Sequence, residues 1–127
     1  MVDSRKRSGL ILLKPFHAEF AGPGAAVGGL FDQSCLQAIP VGNLSLIEPD
    51  SSDDRQKAYL IRRQWIRLTQ QITDNPEPVE RVRMILNQFE NYFDLRTVNG
   101  LPDEIFALLV GVLPPTVRSV RGGNRDV

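Results

Sequence analysis

His17-Ala18-Glu19 is the first pattern in the chain that carries chemistry. A His-x-Glu step opens the zinc site of nucleobase deaminases, but that site also needs a Pro-Cys-x-x-Cys pair to hold the metal. The chain has one cysteine, Cys35, and one histidine. The pattern is therefore read as chance, and a multi-histidine or Cys-rich metal site is excluded within a single chain. Cys35 and His17 could form a nucleophile–base pair. They stand 18 residues apart, and Cys35 sits among Leu36, Ala38 and Ile39, where a cysteine ordinarily packs as a small hydrophobe. Gly22-Pro23-Gly24-Ala25-Ala26-Val27-Gly28-Gly29 has the glycine content of a phosphate loop. No Gly-Lys-Ser/Thr follows it, and the spacing does not fit a dinucleotide fingerprint. It is read as a loop. Glu48, Asp50, Asp53 and Asp54, and Asp103 with Glu104, lack the ligand order of a calcium loop. Both groups stand where helices are expected to begin and are read as capping acids. No metal, cofactor or catalytic residue is expected.

The arginines carry more information. Twelve of the 15 cations are arginine. Arg55, Lys57, Arg62, Arg63 and Arg67 make one segment basic, and Arg118, Arg121 and Arg125 make a second cluster near the C-terminus. Between Asp74 and Glu104 there are seven acids against three arginines. The neutral total thus hides opposite patches. Arginine binds carboxylate and phosphate through a planar fork and is enriched at interfaces. Tyr59, Leu60 and Met84 fall outside the apolar stripes of their segments and would add apolar anchors. The expected partner-binding set is Tyr59, Leu60, Arg62, Arg63, Arg67, Met84, Arg118 and Arg121.

These residues must be positioned by helices. Ala58, Ile61, Trp65, Leu68 and Ile72 recur at spacings of 3, 4, 3 and 4 and predict a helix over 53–72 with Ser51 or Ser52 as N-cap. Pro78 opens a second helix to about 94 on the face Val79, Val82, Ile85, Leu86, Phe89, Tyr92 and Phe93, and Asn99-Gly100 reads as a turn. Pro102, Asp103 and Glu104 open a third, 102–113, apolar all round and so expected to be buried all round. Pro114-Pro115 ends it, and Thr116 to Arg121 forms a short last turn with Val117 and Val120 inward and both arginines outward. The expected core is Ile61, Trp65, Leu68, Ile72, Val82, Ile85, Leu86, Phe89, Phe93, Ile105, Leu108, Leu109 and Val112. Before Pro49-Asp50 the glycines and prolines crowd. Gly9 to Leu13 and Leu44 to Ile47 read as short strands, with Ile39-Pro40-Val41 beside the latter; an extended arm wrapped over the helices is equally allowed. Leu30 to Ala38 reads as a short helix carrying Cys35. The fold class is mostly helical α+β. It divides into a Gly/Pro-rich arm, 1–50, with a few short strands packing on the helices, a compact three- to four-helix part, 51–121, and a flexible tail, 122–127.

The 127 residues suit one domain. Balanced charge (15 basic, 15 acidic) excludes a basic nucleic-acid coat or an acidic tail, and 42% hydrophobic residues exclude a disordered chain. Arg5-Lys6-Arg7 reads as a frayed tail. The four apolar residues after Gly9 are too few for a signal peptide, which needs roughly 7–15. The longest uncharged apolar stretch, Ile105 to Leu113, is too short for a span of about 20 residues. A cytoplasmic protein is expected, with no membrane partner.

The stretch from Gln64-Trp65-Ile66-Arg67 through Leu113 resembles small cyanobacterial proteins of uncharacterised function. Leu101-Pro102-Asp103-Glu104-Ile105-Phe106-Ala107-Leu108-Leu109-Val110-Gly111-Val112-Leu113-Pro114 carries most of the likeness. That bacterial group includes non-enzymatic adaptors that bind larger enzymes, RNA-processing ones among them. The resemblance transfers no site residue; it implies an adaptor. The expected function is thus a non-enzymatic adaptor or regulator acting through protein–protein interaction, with a homodimer as another use of the same apolar surface. The alternative is a small helical RNA- or DNA-binding domain using Arg62, Arg63, Arg67, Arg118 and Arg121. A third reading is an enzyme subunit whose site is shared with another chain.

Overall fold

Leu10-Ile11-Leu12-Leu13 has no polar residue to turn toward water, so a strand here must be covered on both faces. The computed structural model, which describes residues 1–123 with the side chain of Phe31 excepted, covers it in that way. The fold is α+β, an N-terminal three-stranded antiparallel sheet followed by helices. Strand β1 (Ser8–Leu13) is central, between β2 (Ala18–Ala21) and β3 (Gln37–Gly42). On one face Ile11, Phe20 and Val41 join the helical core; on the other, Leu10 and Leu12 meet Val2, Ala21 and Ala25.

The register explains a proline within a strand. The Lys14 amide donates to the His17 carbonyl at 2.8 Å. By the antiparallel alternation Leu12–Glu19 and Leu10–Ala21 are then hydrogen-bonded pairs as well. The amide and carbonyl of Leu10 thus face β2, and its pairing with Pro40 on the other side is a non-hydrogen-bonded one. The Pro40 nitrogen points away from the sheet, where no donor is required.

Five helices follow: α1 (Ser52–Thr73), α2 (Pro78–Tyr92), α3 (Leu95–Asn99), α4 (Asp103–Val110) and α5 (Pro114–Gly123). Ser51 caps α1 by accepting from the Asp54 amide at 3.1 Å, and Pro78 sits in the first turn of α2. Phe89 is the hinge of the core. Its ring lies 5.1 Å from Phe20 of β2 and 5.3 Å from Phe106 of α4.

Several expectations are corrected. The strand β2 was not expected, and Leu44 to Ile47 forms no strand; only Leu46 bridges, to Val2. The segment expected as a helix over Leu30 to Ala38 is a 3₁₀ turn at Gly29–Asp32, which leaves Cys35 outside it. The N-terminal segment is tied down: the Met1 amine donates to the Ile47 carbonyl at 2.6 Å, and Arg5 is paired with buried Asp3. Of the turn expected at Asn99-Gly100, Gly100 makes the turn, while Asn99 closes an unexpected short helix, α3, whose start the Asp94 carboxylate caps by accepting from the Thr97 amide.

The third predicted helix stops early. Gly111 takes a left-handed conformation (φ 68°) that ends α4, and the chain bends by 117° into α5. Leu113 is left exposed, and Leu108 and Val112 are half-buried rather than core. The last turn is a full helix that includes Gly122, where a loose tail was expected; Arg125 and the rest of 124–127 lie outside the described residues. Leu68 is exposed, and Ile61 and Trp65 are half-buried, because α1 turns Ala58, Arg62 and Ile72 inward instead. Trp65 seats against Gly22, where a Cβ would collide with the indole. That close approach accounts for one glycine of the Gly-rich stretch.

Replacing Phe106, which is fully buried, by Ala is expected to cost about 3–5 kcal/mol, and Leu68→Ala under about 1 kcal/mol. Urea unfolding of the two variants checks the order; equal losses would contradict this core.

Candidate functional site

Arg62 is the one α1 side chain that sequence reasoning places outward and the structure places wholly inside, at 0% exposure. Its position faces β2 and the 3₁₀ turn, and a guanidinium buried there needs acceptors for its donors. Nη1 donates to the Ala26 carbonyl (3.1 Å) and to Asp32 Oδ2 (3.0 Å). Nη2 donates to Asp32 Oδ1 (2.8 Å) and Glu19 Oε1 (2.9 Å). Lys14, also buried, lies 3.2 Å from Asp32 and 3.8 Å from Glu19. His17 Nε2 meets Glu19 Oε2 at 2.8 Å. Two cations and two carboxylates thus balance within one cluster that joins α1, the β1–β2 hairpin and the segment after Gly28.

The charges respond as such a cluster requires. Burial pushes the Asp32 carboxyl up, but hydrogen bonds from Arg62 and the Gly28 amide outweigh it, and the pKa is lowered. Burial likewise raises Glu19, and the bonds from His17 and Arg62 reverse it to a lowered value. Burial lowers Arg62, while Asp32 and Glu19 hold it above the ordinary arginine value.

Beside this cluster opens a groove of about 680 Å³. Phe16, His17, Ala18 and Glu19 stand at one end. Ile66, Thr69, Gln70 and Thr73 of α1 form one wall; Ala107, Leu108, Gly111, Val112 and Leu113 form the opposite one. Pro78 and Arg81 stand at the far end, where Arg81 donates to the Asn75 carbonyl at 3.2 Å and the Gly111 carbonyl at 3.4 Å. The rim carries two large apolar side chains. Phe16, at the tip of the β1–β2 hairpin, is 93% exposed, and Leu113, past the α4 corner, is 73% exposed.

Of the eight predicted partner-binding residues, four share the exposed side of α1: Tyr59, Leu60, Arg63 and Arg67. Tyr59 and Arg63 continue the groove wall, since Tyr59, Arg63, Ile66, Gln70 and Thr73 follow at spacings of 4, 3, 4 and 3. Arg63 and Arg67 have no ion partner among the described residues. The other four are not gathered there. Arg62 is internal. Arg121 donates to the Leu101 carbonyl (2.7 Å) and Asp103 (3.0 Å) and lies over the Phe106 ring, so it fastens α5 to α4 instead of facing out. Exposed Arg118 lies 3.7 Å from Asp103, and Met84 is on α2 beside Asn75. Phe16, Leu113 and Arg81 were missed. An aromatic between Lys14-Pro15 and His17, flanked by two apolar runs, was the available sign of a hairpin tip.

Among the described residues no group of three or more His, Cys, Asp or Glu side chains is placed to hold a metal ion, and no single helix is long and apolar enough to cross a membrane. Comparison of the chain with protein-family models, curated proteins and solved structures finds no match.

Arg62→Ala is expected to cost about 3–5 kcal/mol, because it empties a fully buried site and takes the main partner from two half-buried carboxylates. Because the native pKa values of Asp32 and Glu19 are lowered, their contribution to stability is complete above the unfolded values of about 3.9–4.3 and is lost as pH falls through the native ones. Urea unfolding between pH 7 and pH 3 should therefore show stability falling below about pH 4. The fall should be shallower in an Asp32→Asn, Glu19→Gln double variant.

Proposed function

We propose that this protein is a non-enzymatic adaptor that binds a segment of a larger protein in the groove between α1 and the α4–α5 corner. The observation that carries the reading is the pair Phe16 and Leu113, exposed at 93% and 73% on the rim of a groove with one apolar and one uncharged wall. A phenylalanine side chain offers roughly 150–250 Å² for burial. A partner that covers both rim residues gains that burial without rearranging the core, since both already stand outside it. Large apolar anchors around a concave centre, with arginines at the border, have the anatomy of a recognition surface.

The arginine distribution supports a protein partner over a nucleic acid. Of the five arginines the nucleic-acid reading needs, Arg62 and Arg121 are bound within the fold, and Arg118 lies beside Asp103. The exposed cations left on α1 are balanced elsewhere by acids, and the chain has no net charge to hold a phosphate backbone.

The test is affinity capture from a native lysate of the source organism, with nuclease present, by the wild-type chain and by a Phe16→Ser, Leu113→Ser double variant. The variant should keep wild-type stability within about 0.5 kcal/mol, as surface substitutions do. Its recovery of a nuclease-resistant protein should fall at least tenfold. Equal recovery by both chains, or a partner that disappears with nuclease, overturns the reading.

A further inference from the structure

Resting on the adaptor reading, we infer that the occupant of the groove is an amphipathic helix of the partner protein, with acidic residues along the side that meets Arg63 and Arg67. Two observations point there.

The first is the kind of wall the groove has. Its long sides are α1 and the α4–α5 corner. Helical backbone groups are already bonded to one another, so these walls offer side chains and not a ladder of free amides. An extended segment lying between them would find side-chain partners such as Gln70 and the threonines of α1, but no backbone ladder to pair with. A helix brings its backbone satisfied and buries only its apolar stripe. The wall on α1 is itself a helical ridge of uncharged residues at Ile66, Thr69, Gln70 and Thr73, suited to pack against a second helix. Ala18, Ala107 and Gly111 take up little room along the groove and permit close approach.

The second is charge. Arg63 and Arg67 stand exposed beside the α1 wall, without ion partners among the described residues. The nearest carboxylate within the groove, Glu19, is already held by Arg62, Lys14 and His17 and adds no free negative charge. Exposed Asp74 and Glu77 stand past Thr73, beyond the far end of the α1 wall. Arg81, at the far end, is taken up by the carbonyls of Thr73, Asn75 and Gly111, so the groove's cations left unbonded among the described residues stand along the half nearer the hairpin. The complement is a helix whose acids lie along that half and whose apolar residues recur at i, i+3 or i+4, and i+7.

The experiment is a selection from a display library of random 16-residue peptides on the intact protein, with the Phe16→Ser, Leu113→Ser variant as counter-target. The expected winners are peptides with that apolar spacing and clustered Glu or Asp. They should gain helical circular dichroism on binding. Arg63→Glu with Arg67→Glu should weaken them about 5- to 30-fold, less so at high salt. Groove-dependent peptides that are extended, proline-rich or indifferent to the charge reversal overturn the helix and its acids but leave the adaptor reading standing. No groove-dependent peptide at all overturns both.

Discussion

A guanidinium without exposure must take its acceptors from the protein, and Arg62 takes them from three separate stretches of chain. Asp32 comes from the 3₁₀ turn, Glu19 from β2 and the Ala26 carbonyl from the Gly-rich stretch. Burying one charge with one partner is a poor source of stability. Burying it against two carboxylates, with Lys14 completing the balance, instead makes position the important consequence. Helix α1 cannot slide or rotate along the sheet without stranding a charge. The groove wall, the end of the groove at Glu19 and the line of Tyr59 and Arg63 all take their place from that one side chain.

The helical half of the fold was legible because periodicity and capping agree there. Ser51 and Pro78 mark helix starts at the residues expected, α4 begins one residue after the expected Pro102, and Val82, Ile85, Leu86 and Phe89 face inward as their spacing says. What periodicity cannot see is that a polar residue occupies the buried stripe. Arg62 sits between Ala58 and Ile72 on the inward side of α1, and its partners lie 30 and 43 positions away. Those residues carry the candidate site's electrostatics, and only the folded chain brings them together. Gly111 was readable as a breaker but lay inside a run so apolar that the run overrode it. Tyr59, Leu60, Arg63 and Arg67 stand exposed on one side of α1, as helix geometry predicts. Phe16 and Leu113 were missed, because hairpin tips and helix corners have no period.

The same division separates rigid from receptive parts. The aromatic cluster around Phe89 and the Arg62 cluster take neighbouring residues of β2, Phe20 and Glu19, which point to opposite faces of the strand. Between them they hold the hairpin and α1, whose exposed tip and outer wall border the groove. Large apolar side chains are thus displayed on elements whose anchoring is buried elsewhere, so a surface can be left uncovered without loosening the scaffold beneath it.

Pro40 has a bearing on how this protein behaves when concentrated. Helices α1 and α4 pack against β2, while β3 is extensively met only by β1 and forms the open side of the sheet. A bare strand at such a margin is a template for stacking copy upon copy into fibrils. With the proline nitrogen facing outward, the ladder that another copy would need lacks a rung at its centre. Edge-to-edge pairing through β3 is disfavoured by that one missing hydrogen atom.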